Sequence, residues 1–118
     1  MADIKRLPTQ FSYSAAVAAG DFVFLSFHRG WGDGFTAQFH DTFARLTKTL
    51  AEFDLTLADL VRVDVQLKHI RDVQLYEKLF LDYFVKDKYP TRTGNTTDFI
   101  DDDCLFMISG IAYRGGPG

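Results

Sequence analysis

Cysteine is nearly missing from this chain, with one residue, Cys104, in 118. A single thiol cannot close an intramolecular disulfide, so the core must hold the fold, and a reduced compartment is expected. Basic charge is also short. Thirteen Lys and Arg face 16 Asp and Glu, a net charge of -3, which argues against the clustered cations that a phosphate backbone requires. No apolar run approaches the roughly 18 residues of a membrane span. The segment Met1–Gln10 carries Lys5, Arg6 and Pro8 where a signal peptide needs an apolar stretch. A cytoplasmic protein with no nucleic-acid and no membrane partner is the expectation. His28, His40 and His69 lack metal-ligand spacing, so no metal is expected.

Aromatic residues are abundant: 12 Phe, 5 Tyr and one Trp in a chain that is 47% hydrophobic. At this mass about two-thirds of the extended surface can be buried, which describes one folded domain over residues 1–118. No linker or repeat divides it, and the Gly-rich tail Arg114–Gly118 is expected to fray.

The run Phe22–Phe27, opened by Gly20-Asp21, reads as a strand buried on both sides, paired with Phe11–Ala18 through a turn at Ala19–Asp21. Beyond a loop at Arg29–Phe35, the residues Phe39, Phe43, Leu46, Leu50 and Phe53 repeat at helical spacing, with Thr36 as the expected N-cap. Val61, Val63, Val65 and Leu67 alternate with polar residues, the period of a strand with one side in the core. A second helix from Asp72 carries Val73, Tyr76, Leu79, Phe80, Tyr83 and Phe84 on one broad stripe and stops before Pro90. A polar strand at Thr91–Phe99, an acidic turn at Asp101–Asp103 and an apolar strand at Cys104–Tyr113 close the chain. The order β-β-α-β-α-β-β predicts an α+β fold, a mixed sheet with two helices on one face. Cys104, Phe106 and Ile108 point one way from the last strand, and Leu105, Met107 and Ile111 the other. Two helices cover one face only, so self-association is expected to bury the second.

Few residues announce chemistry. Gly30-Trp31-Gly32-Asp33-Gly34 has the wrong spacing for either nucleotide-binding loop and reads as a flexible loop in which Trp31 can line a pocket. The run Asp101–Asp103 reads as a solvated turn rather than a cation site. His28 and His40 read as packing or surface residues, and Cys104 as a small buried hydrophobe. Arg92 opens a strand in Tyr89-Pro90-Thr91-Arg92-Thr93 and shares a face with Gly94. Its planar fork suits a carboxylate, and an exposed strand arginine is the plain alternative.

Several short motifs then converge: Tyr13-Ser14 with Val17, Gly20-Asp21-Phe22-Val23-Phe24-Leu25-Ser26, Asp59-Leu60-Val61-Arg62-Val63, Tyr83-Phe84, Pro90-Thr91-Arg92-Thr93 and Ile111-Ala112. In this order and spacing the chain resembles the YjgF/RidA family of reactive-intermediate deaminases over Phe11–Tyr113. The resemblance implies a chorismate-mutase-like protomer in a homotrimer, with sheets packed around a central barrel and ligand clefts between subunits. It implies that Arg92 holds the carboxylate of a small imino or enamino acid such as 2-aminoacrylate, and that Tyr13, Ser26 and Phe84 line the cleft. Water would release ammonia and a 2-oxo acid without a cofactor.

The departures are equally specific. The family's Ser-Gly-Gln is Ser26-Phe27-His28, the position that often holds Cys or an aliphatic residue is Gly94, and Met107 stands where deaminases place a glutamate, with Ser109 two residues later. A thioether takes no proton, so no catalytic residue is assigned. Phe27, His28, Trp31, Gly94, Met107 and Ser109 are further cleft candidates. Three functions compete: a cofactor-independent deaminase, a trimeric sensor of small carboxylates, and, more distantly, an endoribonuclease.

Overall fold

The computed structural model describes residues 4–115; Met1–Asp3 and the end of the Gly-rich tail lie outside the described residues. Six strands and two helices follow in the order β1 (Lys5–Pro8), β2 (Ser14–Ala19), β3 (Phe22–Arg29), α1 (Phe35–Ala51), β4 (Leu60–Leu67), α2 (Val73–Phe80), β5 (Thr91–Thr96) and β6 (Phe106–Tyr113). They form one sheet ordered β1-β2-β3-β6-β4-β5, parallel only between β4 and β5. This is the expected α+β mixed sheet with one strand more, β1, which is too short and too polar to show a period.

Both helices lie on one face. Phe106, Ile108 and Ala112 of β6 and Val63, Val65 and Leu67 of β4 are buried beneath them. There the aromatics gather: Phe39 lies 4.8 Å from Phe106 and 4.9 Å from Phe43, while Phe43 stacks on Tyr83 at 4.2 Å and Phe80 on Phe84 at 4.7 Å. The intervening residues of β6 (Met107, Ser109 and Ile111) are half-buried on the opposite face. On that face Phe22 and Phe24 of β3 remain 41% and 46% exposed. The fold is a slab with Cα extents of 46 × 36 × 20 Å, one helix layer on one sheet layer.

Several boundaries differ from the sequence expectation. Strand β2 begins at Ser14 rather than Phe11, β3 runs past Phe27 to Arg29, and α1 ends at Ala51, before Phe53. Helix α1 is entered through Gly34, whose φ of 90° turns the chain, so Thr36 falls inside the first turn. The α-helical part of the second helix is shorter than its stripe, because 3-10 turns at Ile70–Asp72 and Leu81–Tyr83 flank it and Phe84 is already extended. Strand β5 ends at Thr96, where its parallel partner β4 ends at Leu67. Strand β6 starts at Phe106, because the Leu105 amide donates to the Gln38 side chain instead of to a neighbouring strand.

Gln38 is the polar fastener of this region. Buried in the first turn of α1, it accepts from Leu105 N at 2.9 Å and donates to the carbonyls of Asp103 (2.9 Å) and Gly32 (3.2 Å). Gln38→Leu keeps the volume and strands these groups, an expected loss of about 2–4 kcal/mol. Urea unfolding measures it; a loss below about 0.5 kcal/mol, the range of an ordinary surface change, would show that the fastener does nothing.

Candidate functional site

A cavity of about 700 Å³ opens beside the β1–β2 connection, the second half of β3 and the last turns of α1. Six of the residues singled out from sequence line it: Tyr13, Ser26, Phe27, His28, Trp31 and Met107. Thr49, Lys48 and Arg45 from α1 and Glu52 just after it join them, with Arg29 and Asp101.

A β-bulge builds the inner wall. Leu25 pairs with Gly110 and His28 with Ile108, so three steps along β3 match two along β6. Strict alternation would turn His28 away from the helices; the extra residue turns it towards α1. There His28 Nε2 lies 2.9 Å from Thr49 Oγ1, and Nδ1 lies 2.7 Å from the Ser26 carbonyl. A carbonyl only accepts, so Nδ1 carries the proton and Nε2 accepts from the Thr49 hydroxyl. Burial pushes the imidazole pKa below its ordinary 6.5, with the Ser26 carbonyl opposing. His28 is therefore neutral at pH 7. Ser26 donates its own hydroxyl proton to the Ala15 carbonyl at 3.0 Å.

The outer wall rests on Arg29, which no sequence pattern marks. Its side chain is 7% exposed, pairs with Asp101 at 3.3 Å and Asp103 at 3.2 Å, and donates to the Gly30 carbonyl. The acidic turn is therefore not simply solvated: two of its carboxylates hold one buried guanidinium, and Arg29 keeps Asp103 below the usual carboxylate range. The Gly-rich loop is likewise pinned. Trp31 N donates to Asp41 at 2.8 Å, and the guanidiniums of Arg29 and Arg45 lie 4.3 and 4.5 Å from its ring centre. Gly30 is required where this loop crosses α1, because a Cβ there would meet Thr42 N at 2.4 Å. No group of three or more His, Cys, Asp or Glu suited to a metal occurs among the described residues.

Arg92, Gly94, Phe84 and Ser109 do not line this cavity. Arg92 sits on β5, the exposed edge strand, where its Nη2 donates to Glu77 and its guanidinium lies 4.7 Å from the Phe80 ring and 5.0 Å from that of Tyr76. Gly94 leaves room for α2, since a Cβ would come within 3.1 Å of Val65 Cγ2 and 3.5 Å of the Tyr76 hydroxyl. Phe84 stacks on Phe80, and Ser109 pairs with Asp64 on the helix-free side. Strands β6 and β4 stand between β3 and β5, a separation of about 14 Å at ordinary strand spacing. In one chain the candidate residues thus form two groups, a cavity and an arginine edge. His40 belongs to neither; its Nδ1 meets the Tyr83 hydroxyl. Cys104 is fully buried, and that burial pushes its thiol pKa up.

Residues 3–114 match the family model described as Endoribonuclease L-PSP. An uncharacterized protein of Streptomyces coelicolor is 30% identical over 113 residues, covering 89% of this chain and 84% of that protein. A YjgF-family protein of Streptococcus pyogenes is 28% identical with a TM-score of 0.85, covering 96% of this chain and 98% of the other. The RidA of an Antarctic Psychrobacter shares the fold at a TM-score of 0.83 and 23% identity, over 92% of this chain and 94% of its own. The motifs, the six-stranded sheet with its two helices and these matches together make the chain a member of the YjgF/RidA (L-PSP) family.

Proposed function

We propose that this protein is a cofactor-independent hydrolase of small imino or enamino acids, with Arg92 of one copy gripping the carboxylate and the cavity of a neighbouring copy receiving the rest. The observation that carries this reading is Arg92 itself. Its guanidinium, on the edge strand of the sheet, is held over the Tyr76 and Phe80 rings and beside the Glu77 carboxylate, which fixes a planar donor fork at the end of the sheet. Tyr13, Ser26, Phe27, His28, Trp31 and Met107 would form the facing wall; Gly94 follows the arginine two residues along β5, Phe84 stacks on the Phe80 ring beneath it, and Ser109 lies on the helix-free sheet face. The substrate is generated in place as 2-aminoacrylate and ammonia release is followed; equal release with and without the protein removes the reading. The lone buried thiol suits a cytoplasmic setting.

Such a site needs self-association, and the open sheet face supplies a reason for it. Phe22 and Phe24, with Val17, Ile111 and Tyr113 beside them, make an apolar patch of the kind that a second copy covers. A homotrimer is the assembly the family resemblance implies. Phe24→Glu buries a charge in that interface and is expected to reduce the mass measured by light scattering to 13.4 kDa. A variant that stays trimeric would place the interface elsewhere.

Met107 favours a second reading, a trimeric sensor that binds small carboxylates without turnover. Tight calorimetric binding of 2-oxo acids with no ammonia release would select it. The family model's description names an endoribonuclease, but the net charge of -3 opposes RNA; salt-sensitive RNA binding at physiological ionic strength is the result that would favour it.

A further inference from the structure

Hydrolysis of an imine needs one group that takes a proton from water and gives it to nitrogen. Met107 cannot be that group. Asp101 is committed to Arg29, the Ser26 hydroxyl donates to the Ala15 carbonyl, and Glu52 is exposed at the end of α1. One array in the cavity is different. The Thr49 hydroxyl donates to His28 Nε2, and His28 Nδ1 donates to the Ser26 carbonyl, at 2.9 and 2.7 Å. A hydroxyl, an imidazole and an orienting acceptor in series are the parts of a proton relay.

We propose that Thr49 and His28 are the acid–base relay of the cavity, with the Ser26 carbonyl fixing the tautomer. This assignment depends on the hydrolase reading above. Thr49 Oγ1 touches the attacking water, and His28 acts through it as a positioning and proton-storing residue. 2-Aminoacrylate first tautomerises to its imine, the methylene carbon gaining a proton from solvent and the nitrogen losing one to solvent. In the first step of hydrolysis the water oxygen bonds to the imine carbon. Thr49 takes the water proton while passing its own to Nε2, the C=N π pair moves to nitrogen, and the relay returns one proton there, which leaves the carbinolamine. In the second step the relay takes the carbinolamine hydroxyl proton and gives one to the amine. The C–N bond then breaks with its pair on nitrogen, and ammonia and the 2-oxo acid result. Nδ1 keeps its proton throughout, and no cofactor or oxidant is consumed.

The array is built by two features of the fold, the bulge that turns His28 towards α1 and the Thr49 hydroxyl that meets it. His28 is neutral at pH 7 and so ready to accept. The charged and titratable groups that share its cavity are Arg29, Arg45, Lys48, Glu52, Asp101 and Tyr13, so the test must separate His28 from them.

Ammonia release from 2-aminoacrylate is measured over roughly pH 5 to 9, a range spanning imidazole titration, for the wild type and for Thr49→Val, Thr49→Ser, His28→Gln and Glu52→Gln. Thr49→Val is nearly isosteric and is expected to lower kcat on the order of 10²-fold or more with KM little changed, while Thr49→Ser stays within a few-fold. The wild-type rate falls as acid protonates His28 below pH 6.5; that limb disappears in His28→Gln and persists in Glu52→Gln. Nitrogen-15 NMR of the resting protein should show hydrogen on Nδ1 and none on Nε2, a readout that needs no activity. The opposite tautomer, a Thr49→Val rate within threefold of wild type, or an acid limb that survives His28→Gln overturns the relay and leaves the hydrolase reading standing. A wild type that binds 2-oxo acids but releases no ammonia overturns both.

Discussion

Arg92→Ala is expected to lower kcat/KM for 2-aminoacrylate, and affinity for 2-oxo acids, by roughly 30- to 5,000-fold, because truncating one partner of a desolvated charge pair costs about 2–5 kcal/mol. The fold should survive. Arg92 pairs with a Glu77 carboxylate that is itself 52% exposed, and partly exposed pairs of this kind are worth about 1 kcal/mol or less. Arg92→Lys divides charge from geometry: it keeps the cation and loses the fork, so an intermediate defect is expected if the grip is bidentate. Steady-state ammonia release and calorimetry measure the two effects separately. An Arg92→Ala protein with wild-type kcat/KM would leave Arg92 as an exposed strand arginine.

Phe39→Ala is expected to be the most damaging single truncation for stability. The ring is fully buried on α1 and meets Phe35, Phe43, Tyr83 and Phe106, so it joins α1 to the 3-10 turn after α2 and to the centre of the sheet. A Phe→Ala change at such a site costs about 3–5 kcal/mol through lost transfer energy and the void that remains. That is a large share of the 5–15 kcal/mol typical of a whole domain. The effect should reach the cavity, because α1 also carries Thr49 and Lys48. Denaturant unfolding with an unchanged m-value tests it. A loss below about 1.5 kcal/mol, the range of a volume-conserving swap, would mean that the aromatic cluster repacks around the gap.

Periodicity made both helices, β4 and the alternation of β6 readable, because each buries one face against a long partner. It did not reveal β1, whose register is set by β2 rather than by a core. It also missed the bulge after Leu25. Phe22–Phe27 reads as uninterrupted strand, and the extra residue exists only relative to β6, about 80 residues away. For the same reason His28 reads as a packing histidine, and its partner Thr49 carries no signal: a lone threonine in a helix matches no motif. Arg29 and its two aspartates are separated by more than 70 residues, so the acidic run looked like an ordinary solvated turn. Arg92 was marked out by its motif, Pro90-Thr91-Arg92-Thr93, and by family resemblance. Its distance from the cavity within one chain could be read only from the order of the strands.

That distance makes the account testable in one measurement. If Arg92 of one copy serves the cavity of the next, two defective chains can repair each other. Arg92→Ala keeps the cavity, and Ala15→Trp, on the cavity wall, keeps the arginine. Each variant, shown by circular dichroism to be folded, should bind 2-oxo acids too weakly alone to register at concentrations that fill the wild-type sites. Co-refolded in equal amounts, they should recover roughly a quarter of the wild-type binding sites in a calorimetric titration, the fraction that random mixing in a cyclic assembly gives. A mixture that recovers no sites would contradict a site shared between copies.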